Sequence, residues 1–153
     1  MWKKLMFVGL LFHSMKIFAA PTPLLKVDFI SEYGPIDIPV YESSCTIYNN
    51  GKVVIYRHNT FSPVLDLPSP SEFAIQETRS LKFNASNIKQ AIALAAKGTI
   101  HGIEGVNAVG LEYVAYQGST SVILKGRNNL VNDSEWTNRL ITVINEWCGD
   151  ISK

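Results

Sequence analysis

Apolar residues between Ser134 and Gly149 recur at helical spacing. Trp136, Leu140, Val143, Ile144 and Trp147 form one stripe of a 3.6-residue period. The pattern predicts a closing helix capped by Asn132 or Asp133, with Glu135 in its first turn and Gly149 at its end. A second helix is predicted after Asn84 or Ser86, burying Ile88, Ala91, Ile92 and Ala95 and ending at Gly98.

Strand patterns fill much of the rest. From Cys45 to Arg57 the chain reads CTIYNNGKVVIYR, and Asn50-Gly51 predicts a two-residue hairpin turn, since both residues tolerate positive φ. That turn pairs Tyr48 with Val53, Ile47 with Val54, Thr46 with Ile55 and Cys45 with Tyr56. One face then carries Cys45, Ile47, Val54 and Tyr56, and the other Thr46, Tyr48, Val53 and Ile55. A second hairpin, Leu111 to Gly126, turns at Gly118-Ser119 and pairs Tyr116 with Ser121, Ala115 with Val122, Val114 with Ile123 and Tyr113 with Leu124. Between the hairpins, Phe73 to Phe83 alternates as a strand, interrupted by Glu77 and Arg79.

Proline shapes two further stretches. Residues 20–44 hold Pro21, Pro23, Pro35 and Pro39 among apolar residues, which predicts an extended arm with at most a short edge strand, strapped over the domain. Residues 58–72 hold Pro63, Pro68 and Pro70 and read as a surface loop. The expected order is therefore β-β-β-α-β-β-α. This is an α+β fold, an antiparallel sheet of about five strands with two helices packed on one face.

The two cysteines fix which face is inward. Cys45 and Cys148 are the only pair available, and neither has His or carboxylate neighbours at metal-ligand spacing. A bridge between them closes residues 45–149 as one domain, with residues 150–153 as a tail, and points Cys45 towards the last helix. On this register Tyr48, Val53, Ile55, Val114, Tyr116 and Ile123 are left on the face without helices. So large an apolar patch calls for a cover, supplied by the strap, by the proline loop, by another protein or by a second copy of the chain.

Composition adds compartment and excludes one partner class. Lys3 and Lys4 precede the apolar run Leu5 to Phe12, and Phe18, Ala19 and Ala20 precede Pro21. Residues 1–19 therefore read as a signal peptide, too short and polar to span a bilayer, so the mature chain is expected to have no transmembrane span and to be exported, periplasmic or extracellular. Taking Lys3, Lys4 and Lys16 from the 14 basic residues leaves 11 against 13 acidic, a net charge of −2. A nucleic-acid binder should be clearly basic, so that partner is not expected.

Chemistry is thinly signalled. His101 and Glu104 stand three apart in a glycine-spaced loop and could join His58 and Asp66 in a proton-transfer or metal site. No serine sits in a nucleophile elbow. Gly102, Gly105 and Gly110 follow a helix and precede a strand, the reverse of a phosphate-binding loop. No motif implies a cofactor or a bound metal, and catalytic residues are not assigned. The proline loop offers Phe61 and Leu65 as apolar contacts on a stiffened segment. The sequence thus predicts a small exported protein-binding or inhibitor-like module rather than an enzyme. It would act through the apolar sheet face or the 59–71 loop on another protein. The alternative is a small periplasmic enzyme or metal-binding protein using His101 and Glu104.

Overall fold

Prolines stand at the starts of strands rather than inside them, and this changes the fold. In the computed structural model, which describes residues 20–33, 39–58, 74–103, 110–127 and 129–151, β1 (Pro23–Tyr33) and β2 (Pro39–Tyr48) each begin on a proline. The missing N–H is tolerated at a first strand residue. Residues 23–33 and 39–44 are therefore strands rather than a strap: β1 lies between β2 and β6 in the middle of the sheet. Its alternation explains why. Leu25 and Val27 are buried in the core and Phe29 packs against it, while Lys26 and Asp28 take the other face. A register shift between Pro23 and Leu25 lets Leu24 join Leu25 in the core.

The remaining elements are β3 (Lys52–His58), β4 (Ala74–Ser80), α1 (Ala85–Ala95), β5 (Ile100–His101), β6 (Gly110–Gln117), β7 (Thr120–Lys125), β8 (Val131–Asn132) and α2 (Glu135–Cys148). Among the described residues the sheet has eight strands, not about five, in the order β4-β3-β2-β1-β6-β7-β8-β5. Every pairing is antiparallel. Besides β1, the additions are β5 and β8. At two residues each, they are too short for any periodicity to mark them.

Both helices pack on one face. Ala91, Ile92 and Ala95 of α1 and Leu140, Ile144 and Cys148 of α2 share a core with Leu25, Val27, Cys45, Ile47, Val53, Ile55, Tyr113, Ala115 and Leu124. The buried line of α2 includes Thr137, so the helix is turned slightly from the expected stripe. Trp136, Val143 and Trp147 flank that line, and Trp147 meets Phe83 with ring centroids 4.7 Å apart. Asn84 caps α1 as expected, but Ser134 rather than Asn132 or Asp133 caps α2.

Those two residues serve tertiary joints instead. Buried Asn132 donates from Nδ2 to the carbonyls of Ala95 and Ile123, at 3.1 and 3.2 Å, and accepts from the Ser134 N–H at 3.0 Å. One amide thus joins the end of α1, β7 and the start of α2. Gly98 passes so close that a Cβ there would stand 2.0 Å from Asn132 Oδ1. The Cys45–Cys148 bridge forms as the sequence predicts, with Cα atoms 5.9 Å apart. Beside it, the Ser43 hydroxyl donates to the Ile151 carbonyl, fastening the chain beyond α2 to β2.

The first hairpin closes one residue differently from expectation. Ile47 faces Val53, Thr46 faces Val54, and Cys45 faces Ile55. Gly51 N–H donates to the Tyr48 carbonyl at 3.0 Å and Gly51 has φ +85°. Asn49, Asn50 and Gly51 thus form a three-residue loop with glycine in the left-handed position, as in a G1 bulge. A slip of one residue exchanges the faces of β3. Val53 and Ile55, expected outside, are 0% and 1% exposed in the core. Val54 and Tyr56 take the outer face. The β6–β7 hairpin keeps its three predicted pairs nearest the turn, then bulges so that Tyr113 faces Lys125.

Candidate functional site

The helix-free face of the sheet is where the described side chains offer most to a partner, and alternation along each strand decides what it presents. Opposite the core positions lie Lys26 and Asp28 of β1, Thr46 and Tyr48 of β2, Val54 and Tyr56 of β3, Glu112, Val114 and Tyr116 of β6, and Ile123 of β7. The uniformly apolar patch expected from the sequence is therefore absent. Val53 and Ile55 have left it, and β1 brings two charges to its middle.

Those charges form a compact arrangement. Asp28 and Glu112 are direct cross-strand neighbours, a placement that is unfavourable for two carboxylates unless cations attend them. Lys26 Nζ lies 2.8 Å from Asp28 Oδ2, and Arg127 Nε lies 3.4 Å from Glu112 Oε2. Asp28, Ile30, Glu112 and Arg127 line a hollow of about 100 Å³. Asp28 Oδ1 is buried, with no hydrogen-bond donor among the described residues, a state that costs roughly 1–3 kcal/mol. Tyr56 shares the cross-strand row of Asp28, Val54 and Ile123 share that of Lys26, and Tyr116 lies four residues along β6 from Glu112; all four are half-buried. Val114 lies deeper, at 7% exposure.

A larger cleft, about 300 Å³, opens on the opposite face beyond the end of α2. Val27, Leu111, Tyr113, Asn145, Asp150 and Ile151 line it. Burial pushes the Tyr113 phenol above its ordinary pKa, although its O–H donates to Asn145 Oδ1 at 3.0 Å. The Tyr113 and Asn145 side chains satisfy each other, and Asp150 is the other ionisable side chain among the described lining residues.

The expected histidine cluster does not assemble. His58 ends β3 and His101 lies in β5, six strand positions away in the sheet order. At about 4.8 Å per strand that is roughly 29 Å along a flat sheet. His101 Nε2 instead lies 2.9 Å from Asp133 Oδ2, while the Thr99 N–H donates to Asp133 Oδ1 at 2.7 Å. The pair fastens an exposed edge. These bonds, the one with His101 foremost, hold the Asp133 carboxyl below its usual pKa. Glu104 and Asp66 lie outside the described residues, as do Phe61, Leu65 and residues 1–19. Among the described residues no group of three or more His, Cys, Asp or Glu side chains could hold a metal ion, and no helix is long and apolar enough to cross a membrane.

Sequence reasoning named Tyr48, Val114, Tyr116 and Ile123 on this face and missed Lys26, Asp28, Glu112 and Arg127. The alternation of charge and leucine or valine from Leu25 to Asp28 was the available signal. Comparison with protein-family models, with curated proteins and with solved structures gives no match to this chain.

Proposed function

We propose that the chain is a small exported protein-binding module that engages a protein partner through the helix-free sheet face. The observation that carries this reading is the buried Asp28 Oδ1, which has no donor among the described residues and lines a hollow with Ile30, Glu112 and Arg127, on the same sheet face as Tyr56, Tyr116, Ile123 and Val54. Tyrosine and arginine around a polar centre are the residue types that dominate protein interfaces. A partner's lysine, arginine or amide entering the hollow would satisfy Asp28, while the aromatic and aliphatic side chains supply apolar area. Export is supported by the bridge, since such bonds persist in oxidising compartments, and by the amino-terminal apolar run.

The test is capture from the native envelope or medium with immobilised, bridge-intact protein. Tyr116→Asp and Asp28→Ala should each reduce recovery of the captured partner at least about tenfold, because interface anchors of this kind carry 2 kcal/mol or more. Thermal unfolding should change little for Tyr116→Asp. Equal capture by the variants, or unfolding on Tyr116→Asp, contradicts the reading.

A further inference from the structure

We infer that two copies of this chain join through their β4 edges, so that Glu77 of each copy stands opposite Arg79 of the other across a two-fold axis at Thr78. The two edges of the sheet differ in what they offer. β5 has two residues and is tied down by Asp133. β4 runs for seven, Ala74–Ser80, in unbroken register with β3, without proline or bulge. Among the described residues no strand pairs with its outer side. A regular edge of this length is a template for another strand.

The backbone orientation suits pairing. Leu81 N–H donates to the Gly51 carbonyl at 2.8 Å, on the β3 side. Ladder bonds alternate along an antiparallel strand, so the peptide groups of Gln76, Thr78 and Ser80 point away from β3. In an antiparallel pair centred on Thr78, Thr78 faces its own copy and Gln76 faces Ser80, each pair exchanging two main-chain hydrogen bonds.

Charge selects the occupant. Glu77 and Arg79 share one face of β4, opposite Ile55 and Val53 respectively. Within one chain Arg79 Nε bonds Glu77 Oε1. A two-fold axis at Thr78 places each beside its opposite in the second copy, giving four alternating charges. A like pair at these positions would be repulsive, so the strand is complementary to itself. This inference is independent of the partner proposed for the helix-free face.

Light scattering after size exclusion, over a concentration series of bridge-intact protein, is the experiment. The wild-type mass should rise to twice the monomer value. Glu77→Arg and Arg79→Glu should each stay monomeric, weakening association at least about tenfold, and an equimolar mixture of the two should recover the doubled mass, because each then meets the opposite charge. Thr78→Pro removes an outward N–H without breaking the β3 ladder, and should also be monomeric while its melting temperature holds. A wild type that stays monomeric throughout overturns the inference. So does a dimer that survives these substitutions, or a mixture that fails to associate.

Discussion

The two faces of one sheet are built on opposite terms. On the helix side, buried polar groups are few and most close a joint: the Cys45–Cys148 bridge ties β2 to α2, Ser43 ties β2 to Ile151, and Asn132 joins both helices to β7, while the Thr137 hydroxyl has no partner among the described residues. On the other side Asp28 and Glu112 are set against each other, and one Asp28 carboxylate oxygen has no donor among the described residues. The first face is held by joints between elements, and the second carries the charged centre on which the proposed partner site rests. The register at Gly51 decides which of these faces receives Val53 and Ile55 of β3.

Breaking the covered face should have the largest effect. Replacing Cys45 and Cys148 together by serine opens a loop with sequence separation 103 and should lower stability by about 4–5 kcal/mol in the chain-entropy account, read from denaturant midpoints. Next comes Ile55→Ala. It should cost about 3 kcal/mol because Ile55 is a core side chain, whereas Val54→Ala, one residue away on the open face, should cost about 1 kcal/mol or less. Reversal of that order would mean the faces are exchanged. Gly51→Ala should cost about 2 kcal/mol, since φ +85° is strained for alanine and its Cβ would stand 2.1 Å from the Leu81 carbonyl oxygen.

The smallest effect concerns pH. Asp133 has a lowered pKa in the folded protein, so its stabilising contribution is present above the ordinary aspartate value and is lost as pH falls through the depressed one. Acid unfolding of Asp133→Asn should accordingly begin at slightly lower pH than that of the wild type, relative to each protein's neutral stability. The pair is well exposed, so the difference should be slight.

How much could be read beforehand follows from the reach of each signal. Helical spacing identifies α2, two cysteines identify the bridge, and Gly118-Ser119 fixes three pairs of the second hairpin, because each signal is local or admits one solution. Asn50-Gly51 fits both a two-residue and a three-residue turn, and only packing against α2 selects the one that buries Val53 and Ile55. The prolines of residues 20–44 suggest exclusion from a sheet, yet Pro23 and Pro39 occupy first strand positions. The centre of the candidate site depends on Asp28 meeting Glu112, 84 residues later, and no short-range pattern signals that pairing.

The faces can be compared most directly by methyl NMR of Val53, Val54 and Ile55 in the presence of a soluble paramagnetic agent that broadens resonances at the surface. The account predicts strong broadening at Val54 and none at Val53 or Ile55. Broadening of Val53 and Ile55 with Val54 untouched would contradict it, restoring the two-residue turn and turning the open face of β3 inside out.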